Sequence, residues 1–118
     1  MITFIEPKDD NYVAFKMEGK ITKEDVDVIV DEMHRKLKEH KNLRVYMEID
    51  KFEGYTFTGF FEDLKNSFMY ITKISKLALV TDEKWLQHLD GMGELFSSAH
   101  IKSFDVKDAA GGIEWLKE

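Results

Sequence analysis

The chain of 118 residues contains no cysteine and only one proline, Pro7. Without thiols it can form neither a disulfide framework nor a thiolate zinc site, and it offers no cysteine nucleophile. The residues before Pro7 lack the basic and long apolar segments of a signal peptide, so no leader is predicted. No apolar run approaches the ~20 residues that a membrane-spanning helix needs. These absences favour a cytoplasmic protein with no membrane span.

The chain also has fewer basic than acidic residues. The 17 basic residues are outnumbered by 23 acidic residues, which gives a formal net charge of −6. A nucleic-acid-binding protein needs concentrated positive charge to displace phosphate counterions, so no nucleic-acid partner is predicted. Hydrophobic residues make up 43% of the chain, and no linker-like composition interrupts it. The composition therefore predicts a single domain over residues 1–118.

Hydrophobic periodicity predicts strands and helices that alternate along the whole chain. Strands are predicted over 2–6, 12–18, 43–50, 76–81 and 101–104, and a period of two residues marks those over 12–18 and 43–50. Helical spacing marks helices over 22–40, 58–71, 82–96 and 108–117, and Thr22 is the predicted N-cap of the first. The order β-β-α-β-α-β-α-β-α predicts an α/β fold with a mixed five-stranded sheet and four helices. We expect the first two strands to pair as an antiparallel hairpin.

The third and fourth predicted strands differ in how completely they are apolar. In the third strand, apolar residues alternate with Arg44, Tyr46, Glu48 and Asp50. A strand covered on both faces would be apolar nearly throughout, so one face of the sheet is predicted to be only partly covered. The fourth strand has no polar side over residues 77–80, which predicts an interior position in the sheet.

Several local segments resemble those of a known family. Residues 13–22, Val-Ala-Phe-Lys-Met-Glu-Gly-Lys-Ile-Thr, resemble the strand, glycine and capped helix near the start of the SpoIIAA-like (STAS-type) superfamily. Residues 78–85 and 101–116 are similar to a branch of small bacterial and archaeal SpoIIAA-like proteins of unsettled function. The resemblance covers essentially the whole chain and implies the SpoIIAA-like fold.

The resemblance also implies two functional expectations. In the anti-sigma-factor antagonists of this superfamily, a phosphorylatable serine precedes a glycine after the third strand. Thr58 and Gly59 match those positions, so the resemblance places Thr58 at the phosphoacceptor position, whereas Thr56 and Phe57 depart from the family's aspartate and serine. Because the fold is similar to lipid-carrier domains, the resemblance further suggests carriage of small apolar molecules.

Aromatic residues crowd the segment after the third strand. Phe60 and Phe61 keep helical spacing with later apolar residues, which favours a place in the core. Phe52, Tyr55 and Phe57 fall outside any period in a predicted loop, which favours an apolar pocket or an interface. We therefore predict that a small apolar ligand binds at these five rings.

Thr58 and Gly59 also suit an ordinary structural role at the start of the second predicted helix. A threonine hydroxyl can accept a hydrogen bond from an unpaired amide of the first turn, and a glycine lets the chain turn there. We favour this N-cap interpretation of Thr58 over phosphorylation, although the added negative charge of a phosphate would suit a helix N-terminus.

No residues with catalytic or metal-binding spacing are evident. Glu48 and Asp50 share a predicted strand face, but no base–nucleophile set accompanies them. The four histidines form no metal motif, so neither a metal nor another cofactor is predicted. The leading hypothesis is a non-enzymatic binding module that holds a small apolar ligand or forms a homodimer. A regulatory domain with Thr58 as its switch is the alternative, and an enzyme that uses Glu48 or Asp50 with a histidine ranks last.

Overall fold

Five strands form one sheet in the order β1-β2-β3-β4-β5 in this computed structural model, which describes residues 1–5, 12–54, 56–67, 71–83 and 99–118. The strands are β1 (Ile2–Phe4), β2 (Tyr12–Lys20), β3 (Leu43–Glu53), β4 (Ile74–Thr81) and β5 (His100–Phe104). The described helices are α1 (Lys23–Leu37), α2 (Phe57–Ser67) and α3 (Ala109–Lys117), with 3₁₀ turns at Ile71–Lys73 and Val106–Asp108. The helix predicted over 82–96 lies outside the described residues from 84 onward.

The sheet is mixed, as the sequence predicts. β1 pairs with β2 in antiparallel orientation, whereas β2–β3, β3–β4 and β4–β5 are parallel pairs. The α/β fold class and the antiparallel pairing of the first two strands are therefore confirmed. Because four strands run in the same direction, their carboxyl ends meet at one edge of the sheet and their amino ends at the opposite edge.

Helix α1 begins where its capping residues predict. The Thr22 side-chain oxygen accepts a hydrogen bond from the Asp25 amide at 3.2 Å, and the Asp25 carboxylate accepts one from the Thr22 amide at 2.9 Å. This reciprocal pair is a capping box, which satisfies amides that have no partner within the helix. The helix ends at Leu37, three residues before the predicted end, because the Glu39 amide turns back to the Lys36 carbonyl.

One face of the sheet, the α1/α2 face, is mainly apolar. Helix α1 contributes Val26, Ile29 and Met33 to it, and helix α2 contributes Phe60 and Leu64, all of them buried. The strands meet these helices with a large set of buried apolar side chains, namely Val13, Phe15, Met17, Leu43, Val45, Met47, Ile49, Ile74, Leu77 and Leu79. Within the described residues, more buried apolar side chains lie on this face than on the other, so it supplies the larger share of the hydrophobic stabilisation.

The opposite face, the α3 face, is apolar only beneath α3. There Ala14, Tyr46, Ala78 and Val80 pack against the helix, together with Phe104 of β5. Tyr46 lies on this face, as the alternation in the third strand predicts, and it is 2% exposed because α3 covers its ring. A tyrosine can be buried in this way when its hydroxyl finds a hydrogen-bond partner.

Beyond α3 the same face becomes polar toward the carboxyl ends of the strands. In the β2–β3 register, Lys16 pairs with Glu48 and Glu18 pairs with Asp50. Asp50 is exposed, and the other three side chains are only partly covered. Among the described helices, α3 is the one that packs on this face, so the partial coverage predicted from the third strand is present in the described part of the chain.

Candidate functional site

The predicted ring site lies where β3 gives way to α2. Phe52 belongs to β3 itself, so its expected position in a loop is wrong. The strand continues three residues past its predicted end because the Lys20–Glu53 pair extends the β2–β3 ladder. The Phe52 ring is half-buried and meets the Phe60 ring edge to face, with centroids 5.8 Å apart and planes at 80°. Phe60 is fully buried, so Phe52 is a partly exposed ring with core behind it.

The turn after β3 is tightly held against the start of α1. The Ile21 amide donates a hydrogen bond to the Glu53 carbonyl at 2.8 Å. Gly54 adopts a positive φ of 93°, and a Cβ at this position would lie 2.6 Å from the Ile21 carbonyl oxygen. A side chain is therefore excluded at residue 54 both by backbone conformation and by space. This contact fixes the direction in which the chain leaves β3 toward α2.

Thr56, and not Thr58, caps helix α2. The Gly59 amide donates a hydrogen bond to the Thr56 side-chain oxygen at 3.0 Å, and the Phe60 amide donates to the Thr56 carbonyl at 3.0 Å. The helix begins at Phe57, so the predicted N-cap role of Thr58 is wrong. Two threonines stand within three residues of each other, and only the one that precedes the first helical residue can be the N-cap. Thr58 lies instead in the first turn of α2.

Of the predicted ligand-binding residues, the structure brings Phe52 and Phe60 together. Tyr55 lies outside the described residues, as do the side chains of Phe57 and Phe61. The backbones of Phe57 and Phe61 belong to α2, so the expected position of Phe57 in a loop is wrong, because the cap at Thr56 starts the helix at Phe57. The side chain of Thr58 also lies outside the described part. The predicted binding roles of these residues stay predictions.

A polar cleft that sequence reasoning missed lies at the carboxyl ends of β3 and β4. Its volume is about 390 Å³. The described residues that line it are Lys16, Glu48, Ile49, Asp50, Asp82, Glu83 and Val106. Glu48 and Asp50 share this cleft as their common strand face predicts. The presence of Lys16 beside them depends on the pairing of β2 with β3, which the sequence does not give directly.

Glu48 is held by two partners in the floor of this cleft. The Tyr46 hydroxyl donates a hydrogen bond to the Glu48 carboxylate at 2.7 Å, and the Lys16 ammonium lies 3.8 Å from the other carboxylate oxygen. Burial raises the pKa of the Tyr46 phenol above its ordinary value, and its hydrogen bond to Glu48 raises that pKa further. Tyr46 therefore stays protonated and remains a hydrogen-bond donor to the carboxylate.

The far wall of the cleft is fixed by residues that follow β4 and β5. The Asp82 carboxylate accepts a hydrogen bond from the Val106 amide at 3.0 Å. The Thr81 hydroxyl accepts one from the Glu83 amide at 3.1 Å, and Thr81 itself is fully buried. Within the described ranges, no group of three or more His, Cys, Asp or Glu residues is arranged to hold a metal ion.

The described residues include no helix that is both long enough and apolar enough to pass through a membrane.

Comparison with known proteins agrees with the fold. The sequence model of the SpoIIAA-like family matches residues 12–117. No curated protein matches the chain. The chain is similar to a solved structure of an uncharacterized protein of the DUF3478 family, with a SpoIIAA-like fold, from Shewanella loihica PV-4. The two chains are 22% identical, the TM-score is 0.71, and the match covers 98% of this chain and 92% of the other. At that identity the likeness shows a shared fold.

Proposed function

This chain belongs to the SpoIIAA-like family, and we propose that it is a non-enzymatic binding module that holds a small apolar ligand where β3 meets α2. One observation carries the proposal. Phe52 is partly exposed, and its ring packs edge to face against the ring of the fully buried Phe60. A ligand that covers Phe52 would therefore extend the apolar core outward instead of displacing polar groups.

The position of Phe52 supports this proposal. It lies near the carboxyl end of a parallel strand, the edge where open α/β sheets place their ligands. Small-molecule sites are mostly apolar and contain few polar groups, which fits a segment with five rings between residues 52 and 61. The carboxylate of Glu48 lies on the α3 face, opposite the core against which Phe52 packs. It is engaged by Tyr46 and Lys16, and ligand binding at Phe52 does not need to disturb this arrangement.

The chain offers a matched control for Phe52. Phe4 is also a half-buried phenylalanine that meets a fully buried one, Phe15, with ring centroids 6.3 Å apart. It lies on the edge strand β1, away from the turn into α2. Replacing either ring by serine removes a similar amount of apolar surface, so a difference in binding reports position and not hydrophobicity.

The test uses extraction and then titration. The purified protein is extracted with organic solvent, and the extract is analysed by mass spectrometry. The polyene fatty acid cis-parinaric acid is then titrated by fluorescence into wild type, Phe52→Ser and Phe4→Ser. We expect Phe52→Ser to raise the Kd at least tenfold and Phe4→Ser to leave it within twofold. A clean extract together with equal Kd values for both variants would contradict the proposal.

The same exposed surface would also suit pairing with a second copy of this chain, because an exposed apolar patch is stabilised when it is covered. Sedimentation at increasing protein concentration tests this variant of the proposal. Dimer formation that Phe52→Ser abolishes and Phe4→Ser preserves would favour self-association over ligand binding at this place.

A second candidate function is a STAS-like regulatory domain that is switched at Thr58. The observation that favours it is the cap on α2. Since Thr56 fills the capping role, Thr58 stands in the first turn, where the helix dipole would stabilise an added phosphate. Intact-mass measurement of protein from its native host tests the idea. Thr58 that stays unmodified across growth phases and stresses would leave this candidate without support.

A further inference from the structure

We propose that this protein binds a small organic anion in a groove at the amino ends of its parallel strands. The groove has a volume of about 860 Å³. We call it the basic groove, and its described lining consists of His34, Leu37, Lys38, Glu39, His40, Lys41 and Lys73. It is a separate site from the one at Phe52, because Leu43 and Phe52 stand at opposite ends of β3, about 30 Å apart at the usual rise per residue.

The fold gathers three lysines here from two segments of the chain, the connection between α1 and β3 and the turn before β4. Lys38 follows directly after α1, which ends at Leu37. Lys41 precedes β3 by two residues, and Lys73 is the last residue before β4. Leu43 and Ile74 are partners in the parallel β3–β4 ladder, and the Ser75 hydroxyl donates a hydrogen bond to the Leu43 carbonyl at 3.2 Å. The sheet register therefore fixes the backbones that carry Lys41 and Lys73 side by side.

The charge of the basic groove is opposite to that of the whole chain. Lys38, Lys41 and Lys73 are exposed, and within the described part of the chain none of them forms a salt bridge. Glu39 is the one acidic residue of the described lining. The C-terminus of α1 contributes only about half a negative charge. Three ammonium groups outweigh both, and a cleft that concentrates one sign of charge raises the local concentration of the opposite ion.

The ligand is expected to carry an apolar portion as well as its anionic group. Leu37 is half-buried, packs against the α1/α2 core and offers its remaining surface to the basic groove. The volume of the groove is within the ~300–1,000 Å³ that small-molecule sites commonly have. Lysines bind phosphate and carboxylate groups as point charges, so either could supply the anion.

The ligand class is tested by titrating isotope-labelled protein with four probes and following the amide resonances by NMR. The probes are octyl phosphate, octanoate, inorganic phosphate and octanol. We expect octyl phosphate or octanoate to shift the resonances of residues 37–41 and 73 and to bind at least tenfold more tightly than inorganic phosphate or octanol. Octanol binding as tightly as the two anions would overturn the anion site. Inorganic phosphate binding as tightly would overturn the amphiphilic ligand.

The place is tested with a triple variant, Lys38→Gln, Lys41→Gln and Lys73→Gln. Its control is a second triple variant at exposed lysines of other surfaces, Lys23→Gln, Lys65→Gln and Lys107→Gln. Both remove the same charge, so a general electrostatic effect lowers affinity equally in the two. We expect the first triple variant to raise the Kd of octyl phosphate at least tenfold and the second to change it less than twofold. Equal losses would overturn the proposal.

Phe52→Ser separates this site from the apolar one. In that variant octyl phosphate should bind the basic groove with unchanged affinity, even if the binding of apolar probes is lost. A tenfold loss in Phe52→Ser, with normal binding in the Lys38, Lys41 and Lys73 variant, would assign octyl phosphate to the ring site and overturn the basic groove. Far-UV circular dichroism of each variant verifies that the fold is retained.

Discussion

The two faces of the sheet differ in how many apolar side chains they bury. On the α1/α2 face, two helices and three strands bury large apolar side chains. On the α3 face, one helix of nine residues covers mostly small or medium side chains, and the face turns polar beyond it. Because one face supplies the larger share of the hydrophobic stabilisation, the other face can accommodate charged groups such as Lys16 and Glu48.

The attachment of α3 differs in kind as well as in area. Two cationic side chains of the sheet reach the C-terminal carbonyls of this helix. Arg44 donates to the Leu116 carbonyl, and the Lys76 ammonium donates to the carbonyls of Trp115 at 3.0 Å and Glu118 at 3.1 Å. Positive charge at a helix C-terminus is favourable to the helix dipole. The α3 face thus combines a small apolar contact with a polar clamp.

The largest loss of stability is expected from a cavity in the core on the α1/α2 face. Phe60→Ala removes a fully buried ring and leaves a cavity, which should lower the free energy of unfolding by about 3–5 kcal/mol. Leu116→Ala, on the α3 face, removes a fully buried side chain and should cost less, about 2–3 kcal/mol. Urea denaturation measures both. A larger loss for Leu116→Ala would show that the two faces are not stabilised as described.

The second-largest loss of stability is expected from a side chain at Gly112 that forces α3 away from the sheet. A Cβ at Gly112 would stand 3.3 Å from a Val80 methyl and 3.4 Å from the Phe104 ring, so Gly112→Val places two more methyl groups where there is no space. We expect a loss of about 1–3 kcal/mol in thermal or urea denaturation. Ala110→Val adds the same side chain at an exposed position of the same helix and should cost under about 1 kcal/mol. Equal losses would mean that the close approach at Gly112 does not decide the cost, because helix propensity alone favours valine over glycine and disfavours it relative to alanine.

A smaller effect should follow from removing the hydroxyl of Tyr46. Tyr46→Phe leaves the Glu48 carboxylate without this hydrogen bond and should cost about 1 kcal/mol near neutral pH. The raised pKa of Tyr46 also makes the folding stability of wild type depend on pH. Above about pH 10 the unfolded tyrosine loses its proton while the folded one keeps it, so wild type loses stability as the pH rises.

The variant cannot titrate at residue 46, so the stability gap between wild type and Tyr46→Phe should narrow between pH 9 and about pH 11. Urea midpoints of the two proteins at a series of pH values measure this gap. A gap that stays constant or widens above pH 10 would rule out a raised Tyr46 pKa.

The smallest effect should come from loosening the clamp on α3. Lys76→Met removes two hydrogen bonds to the helix end and a cation–π contact in which the ammonium lies 4.9 Å from the centre of the Trp115 ring. We expect about 0.5–1 kcal/mol, read most directly as faster hydrogen exchange of the α3 amides. The control is Lys102→Met, since Lys102 lies over the Phe104 ring at 5.4 Å and is exposed. Equal hydrogen-exchange rates in the two variants would show that Lys76 does not stabilise the C-terminal end of α3.

The sequence predicts those parts of the fold that depend on neighbouring residues. The strands, the Thr22 cap and the interior position of β4 follow from periodicity and capping chemistry, which act within a few residues. The face of Tyr46 follows from the alternation of the strand, but its burial does not, because a tyrosine suits either an exposed or a buried position and the packing of α3 decides between them. The cap at Thr56 was missed because either of two neighbouring threonines fits the pattern.

The candidate sites are harder to predict because they depend on strand register. Phe52 is evident in the sequence, but its contact with Phe60 requires β3 to continue beyond residue 50. Lys16 comes beside Glu48, and Lys41 near Lys73, only through parallel pairs between segments far apart in the chain. A one-residue slip would turn each side chain to the other face, so composition and spacing alone cannot locate these groups.

The three parallel strand pairs also have a consequence for how the chain reaches its native state. Each pair joins segments that are separated by an intervening crossover, so the sheet cannot close from local hairpins alone. The entropy of loop closure must be lost before strand pairing can stabilise the chain. We therefore expect refolding on the order of milliseconds or slower, which is slower than for helical bundles of this length. Stopped-flow fluorescence would measure the rate, and microsecond refolding would mean that the ladders form by a more local route.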